Sequence, residues 1–281
     1  MLAAGQTGAV SDALPPQPPA LPPLPPPPPL PPAPDGYAPR PVIGWGVGDI
    51  FWGILLYLVG GVAASVVLIA TGAIDIQKAS DGSVGELSVW AIALSLMAGW
   101  IGFVGWPIVA TYRKGQRSLA KDFGLEIRWI DVPWGLLGGV AAIAVSALGG
   151  LVWRAITGEN APSNGDFLPQ HPGVAVGLVL WVLIALFTPT AEELFFRGLM
   201  LRAIGRRWSL PIAVVVSSLV FGTFHFEGGN GIPHALFIVA VTASYGAVFA
   251  LLVVRAGGRL GPSIVAHSCV NTIGVIALFL T

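Results

Sequence analysis

Residues 173–207 run GVAVGLVLWVLIALFTPTAEELFFRGLMLRAIGRR, and how this stretch folds decides the architecture of the chain. Positions 173–191 hold no charged residue, after which Glu192, Glu193 and Arg197 arrive together and the pattern closes on Arg202, Arg206 and Arg207. The apolar part alone is close to the ~20 residues with which an α-helix crosses hydrocarbon. At 1.5 Å per residue the whole stretch makes a helix about 52 Å long, more than one straight span contains. Pro189 lacks a backbone donor and disfavours helical geometry at Thr188, so a kink or break just before the glutamates is expected, with a second segment over 190–207. Charge held against such a run costs roughly 2.5–3.5 kcal/mol per group even on the lenient insertion scale, which makes these three side chains functional candidates.

Working outward, six further runs of similar length lie at 50–70, 90–111, 134–153, 209–226, 235–254 and 264–280. The first three carry no charge, and the fifth and seventh runs of the whole series carry one histidine each, His225 and His267. Hydrophobic residues make up 54% of the chain and charged ones 10%, with a mean hydropathy of +0.79. A globular domain has about 25% charged residues, so no soluble surface covers this composition. The expected fold is an all-α polytopic membrane protein, a bundle of about seven transmembrane helices, or eight if the 173–207 stretch breaks in two. Glycines such as Gly60, Gly61, Gly138, Gly139, Gly149 and Gly150 then serve close helix packing.

Fourteen basic and fourteen acidic residues balance, so no net field recruits nucleic acid. A single cysteine, Cys269, excludes an intrachain disulfide framework, and no CxxC or HExxH spacing proposes a local metal site. The basic residues cluster in alternate connections: Arg113, Lys114, Arg117, Lys121 and Arg128 after the second run, Arg202, Arg206 and Arg207 after the fourth, Arg255 and Arg259 after the sixth. The other connections carry Lys78 and Arg154 with the acids Asp75, Asp81, Glu86, Glu159, Asp166 and Glu227. This asymmetry places the basic loops and the N-terminus in the cytoplasm.

Residues 1–41 hold 16 of the 25 prolines and no Lys or Arg before Arg40. Such a segment builds no core and is expected as a disordered, polyproline-II-like tail, either a spacer or a PxxP ligand for an aromatic groove. It lacks the basic start and compact apolar stretch of a signal peptide. The chain thus divides into the tail at 1–41, N-terminal transmembrane helices at 42–160 and a polar-bearing core at 173–281.

Within that core, Glu193 and Arg197 are four residues apart with the acid first, the favoured order for an ion pair on one helical face. Glu192 points about 100° away and is left for another partner. His225 follows the basic turn near Trp208 by 17 residues and Glu192 precedes it by 16, so straight antiparallel helices set them at the same depth. Phe221, one turn before His225, is an apolar packing residue. His267 and Asn271 share a face of the last run and need polar company inside hydrocarbon. Whether they reach Glu192 is left open by spacing. Cys269 points to a different face from both and is a packing residue. His171 and His234 flank membrane boundaries, and Asp49 stands near the start of the first run as an interface residue or cap.

The series Glu192-Glu193-xxx-Arg197, Phe221-xxx-His225 and His267-xxx-Asn271, in order on three membrane segments, resembles the CPBP family of CAAX proteases and bacteriocin-processing enzymes, also called Abi. The resemblance covers about residues 173–281. It implies an intramembrane endopeptidase, of a bacterial plasma membrane, acting on a membrane-associated protein or peptide. Carried over, Glu192 assisted by His225 activates water, and His267 and Asn271 stabilise the oxyanion. A zinc-dependent version stays open, with Glu192, His225 and His267 as three ligands of an open site. The lack of a local ligand pair inclines the reading to no metal. Two other classes compete: a transporter relaying protons through midplane Glu, His and Arg, and a non-catalytic immunity or scaffold protein. The transporter reading requires a matching charged, broken helix in the first half, where the runs are clean.

Overall fold

The computed structural model describes residues 43–75, 87–163, 165, 168–226 and 231–280. The proline-rich segment 1–41 lies outside them, as do Lys78, Asp81, Glu86, Asp166 and Glu227. Among the described residues all regular structure is helical: α1 Val47–Ala70, α2 Val89–Lys114, α3 Leu119–Phe123, α4 Asp131–Thr157, α5 Val174–Arg207, α6 Leu210–Thr223, α7 Ile232–Arg255 and α8 Gly261–Ala277. Helices α1, α2, α4, α5 and α7 are long and apolar enough to cross a membrane, and α6 and α8 are shorter apolar helices. Val62, Val140 and Leu151 are each more than 60% exposed. Water would not tolerate that surface, whereas hydrocarbon demands it, because a spanning helix already satisfies its own backbone. The chain is a multi-pass membrane protein.

Close packing is made where a side chain is missing. A Cβ on Gly60 would stand 2.4 Å from the Ala98 carbonyl oxygen, so α1 and α2 touch through that glycine. Gly138 does the same for α4 against Leu252 of α7. Gly61 has nothing within 4 Å of such a Cβ, so the packing expected of it is not made.

Helix α5 corrects the expected break. Phe187 and Thr188 keep helical dihedrals (φ −75°, ψ −44° and φ −61°, ψ −49°), and the helix runs uninterrupted through Pro189. The accommodation lies in two π-helical turns, Trp181–Phe187 and Leu194–Met200, which flank the short α-helical piece Thr188–Glu193. A π-turn bonds each N–H to the carbonyl five residues back. Thr188 N–H accordingly bonds Leu183 O. Proline then deletes the next bond in that register without breaking the helix.

The basic ends of the helices are sealed by loop pairing. Gly44 N–H donates to Lys114 O (2.7 Å), Leu260 N–H to Gly124 O (2.8 Å) and Gly261 N–H to Glu126 O (3.1 Å). Three buried carboxylates lock the same end. Asp49 caps α1 through Gly46 N–H (2.8 Å) and takes Trp106 Nε1 (3.2 Å) and Lys114 Nζ (2.8 Å) from α2. Asp122 accepts from Trp45 Nε1 (3.1 Å), Gln116 N–H (2.8 Å) and the Thr111 hydroxyl. Asp131 accepts from Arg259 Nη2 (2.7 Å) and Arg128 N–H (2.8 Å). Beneath them Phe103, Phe195, Phe196 and Phe224 interleave face and edge between α1, α2, α5 and α6.

Candidate active site

Glu193 and Arg197 form the expected i, i+4 pair, Nη1 to Oε1 3.0 Å, with both side chains fully buried. Removing one partner of such a pair costs about 3–5 kcal/mol, because the other charge is then stranded. The guanidinium is further held by Gly246 O (Nη2, 3.1 Å) and lies 4.3 Å over the ring of Phe221. Phe221 therefore does more than pack: it faces the cation with its π-system and meets the His267 ring edge-on at 5.7 Å. Gly246 is the residue that permits this approach, since a Cβ there would be 3.1 Å from Arg197 Nη2 and 3.0 Å from Ser218 Cα.

The same Glu193 oxygen also takes His267 Nδ1 at 3.1 Å. An ionised carboxylate only accepts, so Nδ1 carries the hydrogen of that bond and Nε2 is left free of it. That nitrogen is turned to Glu192 Oε2, 3.7 Å away. His267 thus stands between the two glutamates, fixed by Glu193 from behind and stacked on Phe249 (4.9 Å, 22°). Glu192 is the more accessible acid, its side chain 16% exposed against none for Glu193. Its Oε2 has no hydrogen-bond partner among the described residues, as is true of Glu193 Oε2, Arg197 Nε and Ser218 Oγ. Buried polar atoms left open in this number mark a place for water or a polar ligand.

His225 departs from the straight-helix expectation. Helix α6 ends at Thr223, so His225 sits in the following turn with Nδ1 2.9 Å from Phe221 O, its ring 4.7 Å from that of Phe221. No ion-pair contact joins it to Glu192, whose histidine neighbour is His267 instead. Asn271 donates from Nδ2 to Ile184 O at 2.8 Å. In the π-register Ile184 is the acceptor that Pro189 would have served, so Asn271 supplies the bond the proline removed. Its second amide hydrogen has no partner among the described residues.

Several contributors were not singled out by sequence. Tyr57 of α1 stacks on Phe103 (4.5 Å, 11°) and lies within electrostatic reach of Glu192. Ser218 and Gly246 border Arg197, and their signal was a pair of small residues on neighbouring helices. Cys269 meets Gly139 across the α4–α8 contact, as a packing residue does. His234 Nε2 lies 3.7 Å from Glu159 Oε2, and His171 N–H donates to Leu278 O, both away from the cluster. Among the described residues no three His, Cys, Asp or Glu side chains are grouped to hold a metal ion, so no step through zinc is derived.

Comparison with known proteins addresses this same segment. Residues 174–273 match the family described as type II CAAX prenyl endopeptidase Rce1-like. Over 110 residues the chain is 33% identical to human CAAX prenyl protease 2, a stretch covering 35% of this chain and 33% of the human protein. The chain therefore matches about a third of that relative's length. No solved structure matches. The matched segment, residues 174–273, is the one that carries Glu192, Glu193, Arg197, His267 and Asn271, and it is similar to the type II CAAX prenyl endopeptidase Rce1-like family.

Proposed function

We propose that the chain is an intramembrane endopeptidase that hydrolyses a peptide bond of a membrane-associated protein or peptide. The observation that carries this is the double role of Glu193: it neutralises Arg197 and orients His267, which leaves Glu192 a carboxylate with an open oxygen facing an oriented imidazole. Water held at that oxygen gives its proton to Glu192 as its oxygen attacks the scissile carbonyl carbon. The proton then passes to the departing amine as the C–N bond breaks. His225, in the turn beside Phe221, assists that proton traffic. Developing charge on the carbonyl oxygen is met by the spare amide hydrogen of Asn271 and by His267. Nδ1 of His267 is committed to Glu193, so His267 meets that charge through Nε2.

The basic end of the bundle faces the cytoplasm of a bacterial plasma membrane in this reading, by its Lys and Arg asymmetry. The N-terminal tail is a spacer or a PxxP ligand. The test is cleavage of a library of membrane-tethered peptides by purified protein, wild type against Glu192→Ala and His225→Ala, with and without a chelator. Loss of about 10²–10⁴-fold in kcat for Glu192→Ala is expected. Cleavage that survives Glu192→Ala defeats the mechanism; cleavage lost to chelator and restored by zinc replaces it with the metal-dependent version.

A further inference from the structure

Some ten residues along α5 from Glu192, about 15 Å at helical rise, a cavity of about 430 Å³ opens at the basic end of the bundle. That volume falls within the range of small-molecule sites. Its walls are apolar, with Ile43, Leu210 and Val254 among them, while three cations reach it, Lys121, Arg202 and Arg206. Asp122 is the one carboxylate of the lining, and its oxygens are already taken by Trp45, Thr111 and Gln116. Three cations thus stand against one spoken-for acid.

The cations are placed by carbonyls and a ring, and none of them makes a direct ion pair among the described residues. Arg206 lies 3.5 Å over the Trp45 ring and donates to Trp45 O (2.7 Å). Arg202 donates to Gly258 O and keeps a buried Nε with no partner among the described residues. Lys121 is exposed and its ammonium makes no hydrogen bond or ion pair among them. Fixed guanidinium groups with spare donors match the geometry of a phosphate. The apolar wall continues onto outward-facing Leu210, 46% exposed, so a ligand here has one charged and one greasy end.

We propose that this cavity binds the phosphate of an anionic phospholipid headgroup, with the first part of an acyl chain against the Ile43, Leu210 and Val254 wall. Basic pockets between transmembrane helices hold such headgroups at roughly 1 kcal/mol per cation, about fivefold in affinity each. The site is separate from the Glu192 cluster and its occupancy does not depend on the proposed proteolysis.

Native mass spectrometry of the full chain tests this, using phosphatidylglycerol and phosphatidylcholine of matched chains. Wild type should retain phosphatidylglycerol preferentially, Lys121→Gln should lose about fivefold of that preference, and Arg202→Gln with Arg206→Gln roughly thirtyfold. Lys121→Gln touches no hydrogen bond of the fold, so it decides the matter even if the double variant misfolds. Undiminished preference in Lys121→Gln overturns the proposal. Displacement of phosphatidylglycerol by equimolar glycerol phosphate overturns the lipid assignment in favour of a free phosphate, while resistance to it supports the lipid.

Discussion

Two sets of carboxylates, three aspartates on α1, α3 and α4 and two glutamates on α5, are treated in opposite ways. At the basic end Asp49, Asp122 and Asp131 each accept from two or three donors of different segments, and the loops between helices are pinned by them. In the middle of the bundle Glu192 and Glu193 each keep an oxygen without a partner, next to an arginine nitrogen and a serine hydroxyl in the same state. Folding alone favours the first arrangement, since an unsatisfied buried polar group costs about 1–3 kcal/mol. The second arrangement leaves these atoms without a partner among the described residues, inside a well-packed aromatic cage of Phe196, Phe221 and Phe249. Saturation separates the aspartates that pin loops from the Glu192–Glu193 pair.

The sharpest test is Glu192→Gln. It should remove about 10²–10⁴-fold of kcat on any cleaved peptide while leaving the thermal midpoint in detergent unchanged, which no saturated aspartate would allow. Arg197→Met should destabilise by about 3–5 kcal/mol in denaturant titration, because Glu193 is left buried and alone; adding Glu193→Gln should recover much of that loss. If the single variant melts like wild type, the central pair is not the buried ion pair described. At the other end, Asp122→Asn should cost about 1–3 kcal/mol with no direct effect on the chemical step.

Burial pushes the Asp122 carboxyl up, but the Thr111, Trp45 and Gln116 bonds outweigh it and hold the group below the ordinary carboxylate range. Its contribution is therefore complete above the unfolded value of about 3.9 and lost as pH falls through the lower folded value. Acid titration followed by tryptophan fluorescence should show this limb in wild type and not in Asp122→Asn. Smallest of all, Lys114→Gln should cost under about 1 kcal/mol, since its side chain is 42% exposed and Asp49 keeps two other donors.

The helices and the Glu193–Arg197 pair were legible in the sequence because length, hydropathy and the i, i+4 rule are local properties. The partner of Glu192 was not. Counting residues from the turn at Trp208 assumed a straight α6, yet that helix stops at Thr223 and carries His225 out of line. His267 looked poorly matched in depth, and it reaches both glutamates because α8 packs against the π-widened part of α5, a register no periodicity encodes. Pro189 was read as a missing donor that forces a kink or break; the helix does not break, since a neighbouring helix answers the vacant carbonyl, which propensity does not reveal.

That answered carbonyl ties two distant residues, Pro189 and Asn271, together. Pro189→Ala would give α5 a donor of its own for its hydrogen-bond ladder, and the amide at position 271 would then be surplus to the backbone. Asn271→Leu should accordingly destabilise the native chain and do so much less in the Pro189→Ala background, a non-additive pair across two helices. Any stability left lost in the double variant measures packing; any activity left lost measures the amide's other hydrogen. A proline and an asparagine 82 positions apart should thus count as one energetic unit in a double-mutant cycle.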